Sequence, residues 1–420
     1  MQGLGSRGIL GIQYEATYGV LPTTDTPVIA ADLTKVYIET EGFKSSRNLV
    51  ASTVITGVRH STKPLLGNID VQGSIATELG STLGMLIYGA CGSVASAPIT
   101  AETPGTALTT PVGVIDVTGQ TMTVTCSVAH GLAVSDSVAV AGLTAPTELN
   151  GLTLRVIKVP STMIFVVRIP AKVSVVFTLG SGTLKKVSTA ATSYTHTFKS
   201  GGTLPSFVVE KGFTDIAQYF LYTGCKVGKM SLNLDPEAVQ KISFDFTGKD
   251  EAVATSSYDT VVNDLLKNSF TGSMISSIKE NASGNDLSGK VTKLDVTLDN
   301  SLDTSIYCIG GGGKRSAIPE GLSKVSGTAS MIFENVALYN KAVGGTKTDL
   351  VVVIKNGTGA GTAGNEQLTI IIPELVFKQE TPVISGDKGL MVTLAFEAFY
   401  ENGTDATSLK LVLLNSAMTI

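Results

Sequence analysis

Gly67-Asn68-Ile69-Asp70-Val71-Gln72-Gly73-Ser74-Ile75 is the stretch from which the fold can be read. Ile69, Val71 and Ile75 fall on one side of an extended backbone, and Asn68, Asp70, Gln72 and Ser74 on the other. That is the period-two pattern of a strand with one buried face. Upstream, Val36 and Ile38 oppose Tyr37 and Glu39 in the same way. Downstream, Met230, Leu232 and Leu234, a turn at Asp235-Pro236-Glu237, then Ile242, Phe244 and Phe246 predict a hairpin with one apolar face. Leu294, Val296 and Leu298 alternate with Asp295, Thr297 and Asp299. Leu390, Val392, Leu394, Phe396 and Ala398 predict a long late strand, followed by another from Leu409 to Leu414.

Composition points the same way. The apolar residues are mostly Val, Leu, Ile and Ala, Trp is absent, Gly occurs 45 times and only 16% of residues are charged, which favours short strands and tight turns. A chain of 420 residues can bury one large core or two smaller ones, and two are expected. Two short helices interrupt the strands. From Glu78 to Ala90, Leu79, Leu83, Leu86, Ile87 and Ala90 recur at helical spacing with Thr77 as a cap. Gly80 and Gly84 weaken that helix while allowing close packing on a sheet. The second helix spans Val336 to Val343 and ends at Gly344-Gly345.

Phe43 to Lys63 reads as a connection of about twenty residues with no element of its own, and such connections in compact domains tend to be binding segments. It is polar apart from Leu49 to Ile55, and it carries Lys44, Arg47, Arg59 and Lys63 with no acid. From Pro104 to Val187 the texture changes to short strands at Val112 to Val117, Met122 to Cys126, Val138 to Val140, Leu152 to Val159 and Phe165 to Val167. This predicts a small all-β domain, dividing the chain into 1–103, 104–187 and 188–420. That segment holds Asp116, Asp136 and Glu148 against Arg155, Lys158, Arg168, Lys172, Lys185 and Lys186. It is net basic in a chain of net charge −4, so the remainder is acidic.

Residues suited to catalysis are sparse. His60, His130 and His196 are the three histidines, and His130, four residues after Cys126, has no second Cys/His pair, so a structural role is expected over a metal or catalytic one. Cys91, Cys126, Cys225 and Cys308 have no close pair and are read as buried thiols. In Gly310-Gly311-Gly312-Gly313-Lys314-Arg315-Ser316 the first glycine of a phosphate-binding loop would fall on Cys308, and Arg315 replaces the hydroxyl residue. The match fails, and the run is read as a mobile surface loop whose Lys314 and Arg315 contact a neighbour. Gly357-Thr358-Gly359-Ala360-Gly361 is likewise read as a flexible loop. Asp299 with Asp303, or Asp245, Asp250 and Glu251, show no sign of converging in a cleft. Asp295, Asp299 and Asp303 lack the spacing of a calcium hand. No catalytic, cofactor or metal residue is therefore expected. No apolar run reaches the roughly eighteen residues of a membrane helix, and Met1-Gln2-Gly3-Leu4-Gly5 is not a secretory start, so a cytoplasmic product is expected. A charge of −4 also argues against a protein that grips nucleic acid through phosphates.

Several segments, in chain order, resemble the tail tube proteins of long-tailed bacteriophages. They are Arg47 through Ala90, with Arg59, Gly67–Gly73 and Glu78-Leu79-Gly80; Leu204-Pro205-Ser206-Phe207-Val208-Val209-Glu210-Lys211-Gly212; Tyr222-Thr223-Gly224-Cys225-Lys226-Val227; Leu368-Thr369-Ile370-Ile371-Ile372-Pro373; and Pro382-Val383-Ile384-Ser385-Gly386. Within 104–187, His130-Gly131-Leu132 with Asp136, Val138 and Val140, then Leu149-Asn150-Gly151, is similar to small β-modules that decorate phage virions. Ser135 stands there where Gly is common.

The resemblance implies two packed β-sheets, a tail-tube β-sandwich or barrel with a flanking short helix, plus an inserted small all-β decoration domain. It implies hexameric rings whose inner strands close into a barrel and which stack through the basic segment, Lys44, Arg47, Arg59 and Lys63 meeting an acidic face of the next ring. Such a tube is the conduit for genome ejection, and viral DNA passes through its lumen without specific binding. Tape measure, tail tip and tail terminator proteins are the implied partners, with no membrane and no cofactor. The place is the virion tail after assembly in the host bacterial cytoplasm. The inserted domain would face outward, where it is implied to contact host surface glycans, and its bulk suggests a non-contractile tail. A capsid decoration or host-surface adhesion protein is the alternative, and a β-rich hydrolase the third reading.

Overall fold

The computed structural model describes residues 4–22, 33–55, 57, 59–99, 103–116, 121–134, 136–169, 173, 175–189, 193–259, 264–265, 267–280, 285–383 and 389–417. Val117, Ser135, Lys172 and residues 384–386, which figure in the sequence reading, lie outside these. The chain is mainly β and has, among the described residues, a 19-stranded and a 7-stranded sheet and the two α-helices Gly84–Cys91 (α1) and Ala337–Val343 (α2).

Two strands, each shared between ladders, organise the larger sheet. The first half of Gln218–Leu234 pairs with Ser206–Phe213 and Asp250–Ala254, and its second half pairs with Lys241–Gly248 and Val291–Asp299. Gly224 sits at the changeover with φ +66, a conformation that costs glycine little, and donates its N–H to the buried Glu15 carboxylate at 2.7 Å. Gln367–Phe377 has Thr348–Lys355 along one side. On the other it passes from Lys410–Asn415 to Met391–Ala398. Sharing strands in this way lets one sheet double back into packed layers. A single apolar cluster runs through it, from Leu10 and Ile12 to Leu411 and Leu413.

The alternation read from sequence sets the register. Met230 faces Phe244 and Leu232 faces Ile242 across the central hairpin, and all four are buried. Val36 is buried as expected, although the strand there is only Thr34–Lys35. α1 packs on Gln218–Leu234 and on Tyr194–Lys199, and Gly89 lets it approach, since a Cβ there would lie 2.7 Å from the Phe207 ring.

Four sequence expectations need correction. The first helix starts at Gly84, because Glu78 still belongs to the strand Leu65–Glu78 and Thr77 donates to Tyr37 O instead of capping. Beyond the strand, Leu79 O accepts from Phe270 N–H at 2.8 Å, where a helix would need it to accept from Leu83 N–H, and Gly80 bridges Ser269, so this segment continues as extended chain against a neighbour. Phe43 to Lys63 is not without structure, since Lys44–Val50 pairs with Leu65–Glu78 as a long hairpin. Cys308 is exposed, unlike the other three cysteines. The loop around Gly357–Gly361 is bonded internally, with Asn365 Oδ1 accepting from Thr358 N–H at 3.0 Å and Gly361 N–H reaching Asn365 O at 2.7 Å.

The smaller sheet runs Thr103–Ala107, Thr183–Thr189, Ser137–Ala141, Thr153–Ser161, Ile164–Arg168, Thr121–Thr125, Val112–Asp116. It has its own apolar cluster around Met122, Val138, Leu154 and Phe165. His130 pins a turn there: its Nδ1 accepts from Leu132 N–H at 3.0 Å, its Nε2 donates to Ser161 O at 3.1 Å, and its ring stands edge-on to Phe165. Its first and last strands in chain order, Thr103–Ala107 and Thr183–Thr189, pair with each other, Pro104 opposite Val187, so the chain enters and leaves side by side.

Candidate functional site

The long hairpin is the most conspicuous surface feature, and its root is built to hold it. Phe43, just before the first strand, is buried against Tyr222 and Phe246 with ring centroids 5.3 Å away in each case. It lies over Gly73, where a Cβ would come within 2.3 Å of the ring, so no larger residue fits. Lys211 Nζ and Tyr222 Oη donate to Phe43 O at 2.7 and 3.3 Å, fixing the backbone at the point of departure.

Beyond the root, burial ends on the outgoing strand. Lys44–Val50 is exposed throughout, paired on one side only, with Lys44 opposite Gln72 and Arg47 opposite Ile69. An irregularity at Gly67 and Asn68 then brings Leu49 opposite Leu66 and Val50 opposite Leu65. Leu49, Val50, Leu65 and Leu66 are all more than half exposed, and in the connecting segment Val54 is 71% and Ile55 95% exposed. A concentration of exposed aliphatic side chains on one projection marks a contact surface, because a soluble monomer gains nothing from it.

Lys44 and Arg47 lie on the outgoing strand, and Arg59 and Lys63 on the segment between the strands. All four are exposed, and among the described residues none is in an ion pair. The sequence reading found the basic residues and the apolar stretch from Leu49 to Ile55, but missed Leu65 and Leu66. Their opposition to Val50 and Leu49 appears only once the register is known.

Arg315 is not the surface contact expected from the glycine run. Its side chain is 4% exposed and donates from Nε to Thr304 O at 2.8 Å and from Nη1 to Gly248 O at 3.0 Å, and it pairs with Asp70. Lys314 pairs with Asp250 of the same chain. Gly310, Gly312 and Gly313 all have positive φ, and these turns bring the two cations back onto the body.

Other sheet margins also stand open among the described residues. Ser93–Pro98 has a ladder partner on one side only, as has Asp250–Ala254, and both are largely exposed. Open strand margins invite pairing with another chain.

The carboxylates considered from sequence are occupied locally. Asp299 accepts from Ser301 N–H and Asp303 from Ser305, whose hydroxyl and amide hold the Asp303 carboxyl below its ordinary range. Among the described residues no group of three His, Cys, Asp or Glu side chains is placed to hold a metal ion, and no helix is long and apolar enough to cross a membrane. A cavity of about 150 Å³ between Ile12, Val36, Leu83 and Leu86 has Lys35, Glu39, Glu78 and Lys267 among its lining residues. Each of these four is engaged in an ion pair, Glu78 with Lys267, Glu39 with Lys241 and Lys35 with Asp264.

No curated protein matches the chain. The family model described as phage tail tube protein matches residues 5–398, a span that takes in the smaller sheet, the projecting hairpin and the larger sheet up to Met391–Ala398. A match of that extent shows that the chain belongs to the phage tail tube protein family, whose members self-assemble into the tube of the virion tail.

Proposed function

We propose that six copies of this chain close into a ring, that rings stack into the tail tube, and that the viral genome is ejected through the lumen. The exposed hairpin carries the reading. In a stack, Leu49, Val50, Val54, Ile55, Leu65 and Leu66 leave water against the neighbouring ring, while Lys44, Arg47, Arg59 and Lys63 face acidic groups on it. The open margins at Ser93–Pro98 and Asp250–Ala254 support ring closure by strand pairing, which removes edges that a lone subunit exposes.

On this reading the protein is structural and performs no catalysis. The acidic body repels DNA phosphates, so the genome slides without specific binding. Residues 104–187 form an inserted decoration domain on the outside of the tube, where its bulk suits a non-contractile tail and its surface meets host glycans. Tape measure, tail tip and tail terminator proteins complete the tail, assembled in the host cytoplasm.

Negative-stain images of purified protein test the proposal. The intact chain should form hollow tubes, and a variant in which a short Gly-Ser linker replaces residues 49–66 should stay folded and give single rings or monomers. Tubes of normal length from that variant would remove the hairpin from stacking.

A further inference from the structure

We infer that Arg315 is the positioning residue of the stacking hairpin: with the loop that carries it, it stands in for a missing neighbour strand and fixes where the hairpin points. The inference rests on the stacking role proposed above.

Leu65–Glu78 is paired with the body strand Lys241–Gly248 only from Glu78 to Val71, where Gly248 is the last partner. From Asp70 outward it keeps Lys44–Val50 on one side and, among the described residues, has no strand on the other. Isolated two-stranded ribbons are marginal in water, so the direction of this one depends on what grips the first residues beyond the ladder.

The loop supplies that grip at three successive residues. Ile69 donates its N–H to Gly313 O at 2.7 Å and accepts at its own carbonyl from Tyr307 Oη at 2.9 Å. Asp70 pairs with Arg315 Nη2, and Val71 O lies 3.5 Å from Arg315 Nη1. The same guanidinium holds Gly248 O and Thr304 O, and its carbon lies 5.5 Å from the Tyr307 ring centroid. One planar, rigid fork therefore ties the end of the body ladder, the root of the hairpin and the loop together. Lysine, with a single ammonium on a flexible stem, cannot make all these bonds at once.

The Gly67-Asn68 irregularity lies immediately outside this clamp. An error in direction at Ile69 is carried along the whole projection, to the apolar pairs Leu49–Leu66 and Val50–Leu65. Residues at those pairs make the contact, and Arg315 decides whether they arrive.

Hydrogen exchange on the full-length protein, read together with tube formation, tests this. Arg315→Gln should raise exchange at residues 66–70 at least tenfold while 241–248 and 291–298 exchange as before, and tubes should become rare. Arg315→Lys should fall between. Unchanged exchange at 66–70 in Arg315→Gln overturns the inference, whether or not tubes form. If Arg315→Gln loses protection throughout, Tyr307→Phe, which deletes only the hydroxyl on Ile69 O, is read by the same criterion. Raised exchange at 66–70 with normal tubes overturns the inference in its stated form, since direction would then not govern assembly. Normal tubes from the 49–66 replacement instead count against the stacking role itself.

Discussion

Asn300 shows how much one polar side chain holds in this fold. Buried at 3% exposure, it donates from Nδ2 to Ala90 O at 2.9 Å and to Val227 O at 3.1 Å, so it satisfies an end carbonyl of α1 and ties the helix to the forked strand. Asn300→Ala leaves both carbonyls without this donor and should lower unfolding free energy by about 1–3 kcal/mol in urea titrations. His196 makes the corresponding link between strands. Its Nδ1 meets Ser96 Oγ at 2.7 Å and its Nε2 donates to Ala417 O at 2.9 Å. Burial holds this imidazole below its ordinary pKa, against the pull of Ala417 and Asn415. Because the unfolded chain takes the proton first, the contribution of His196 to stability is complete above about pH 6.5 and is lost as pH falls below it. His196→Gln should reduce the acid loss of stability below about pH 6.5, and an unchanged pH profile would contradict the assignment. Neither residue announces itself in sequence, because the partners lie 73 or more positions away and the bonds follow no periodicity.

At the scale of elements, the hairpin divides into a root that folding requires and a projection that assembly uses. Arg47→Glu with Arg59→Glu should leave thermal unfolding within a few degrees of the parent, since surface changes of this kind cost little stability, while tube formation is lost and recovers only in part at high salt. Leu49→Ser with Leu66→Ser should leave the monomer folded and more soluble, again without tubes. Phe43→Ala, at the root, should instead destabilise the body by about 3–5 kcal/mol, as for other buried aromatics. Strict alternation made elements such as Ile69–Ile75 and Met230–Phe246 legible, because each residue type reports the face it occupies. Spacing alone misled at Glu78 to Ala90. Leu79, Leu83, Leu86 and Ile87 fit a helical stripe, yet Gly80 bridges Ser269, and a Cβ on it would lie 2.3 Å from Asn268 O. The clamp at Arg315 was illegible because a glycine run near a cation looks the same whether it projects or folds back.

For the molecule as a whole, the central claim is that this subunit is unfinished until it meets copies of itself. The smaller sheet bears on this as a control. Its entry and exit strands are paired at Pro104 and Val187 and its apolar cluster is separate, so replacing 104–187 with a short linker should leave a folded body that still forms tubes. Loss of tubes in that variant would mean that the inserted residues take part in assembly instead of decorating a finished tube. The most direct test is a cryo-microscopy reconstruction of the assembled protein. The account predicts a hollow tube with six subunits in each ring, Ser93–Pro98 or Asp250–Ala254 paired with a neighbour, and the Lys44–Glu78 hairpin seated on the adjacent ring. A particle in which both margins and the hairpin remain in solvent would contradict it.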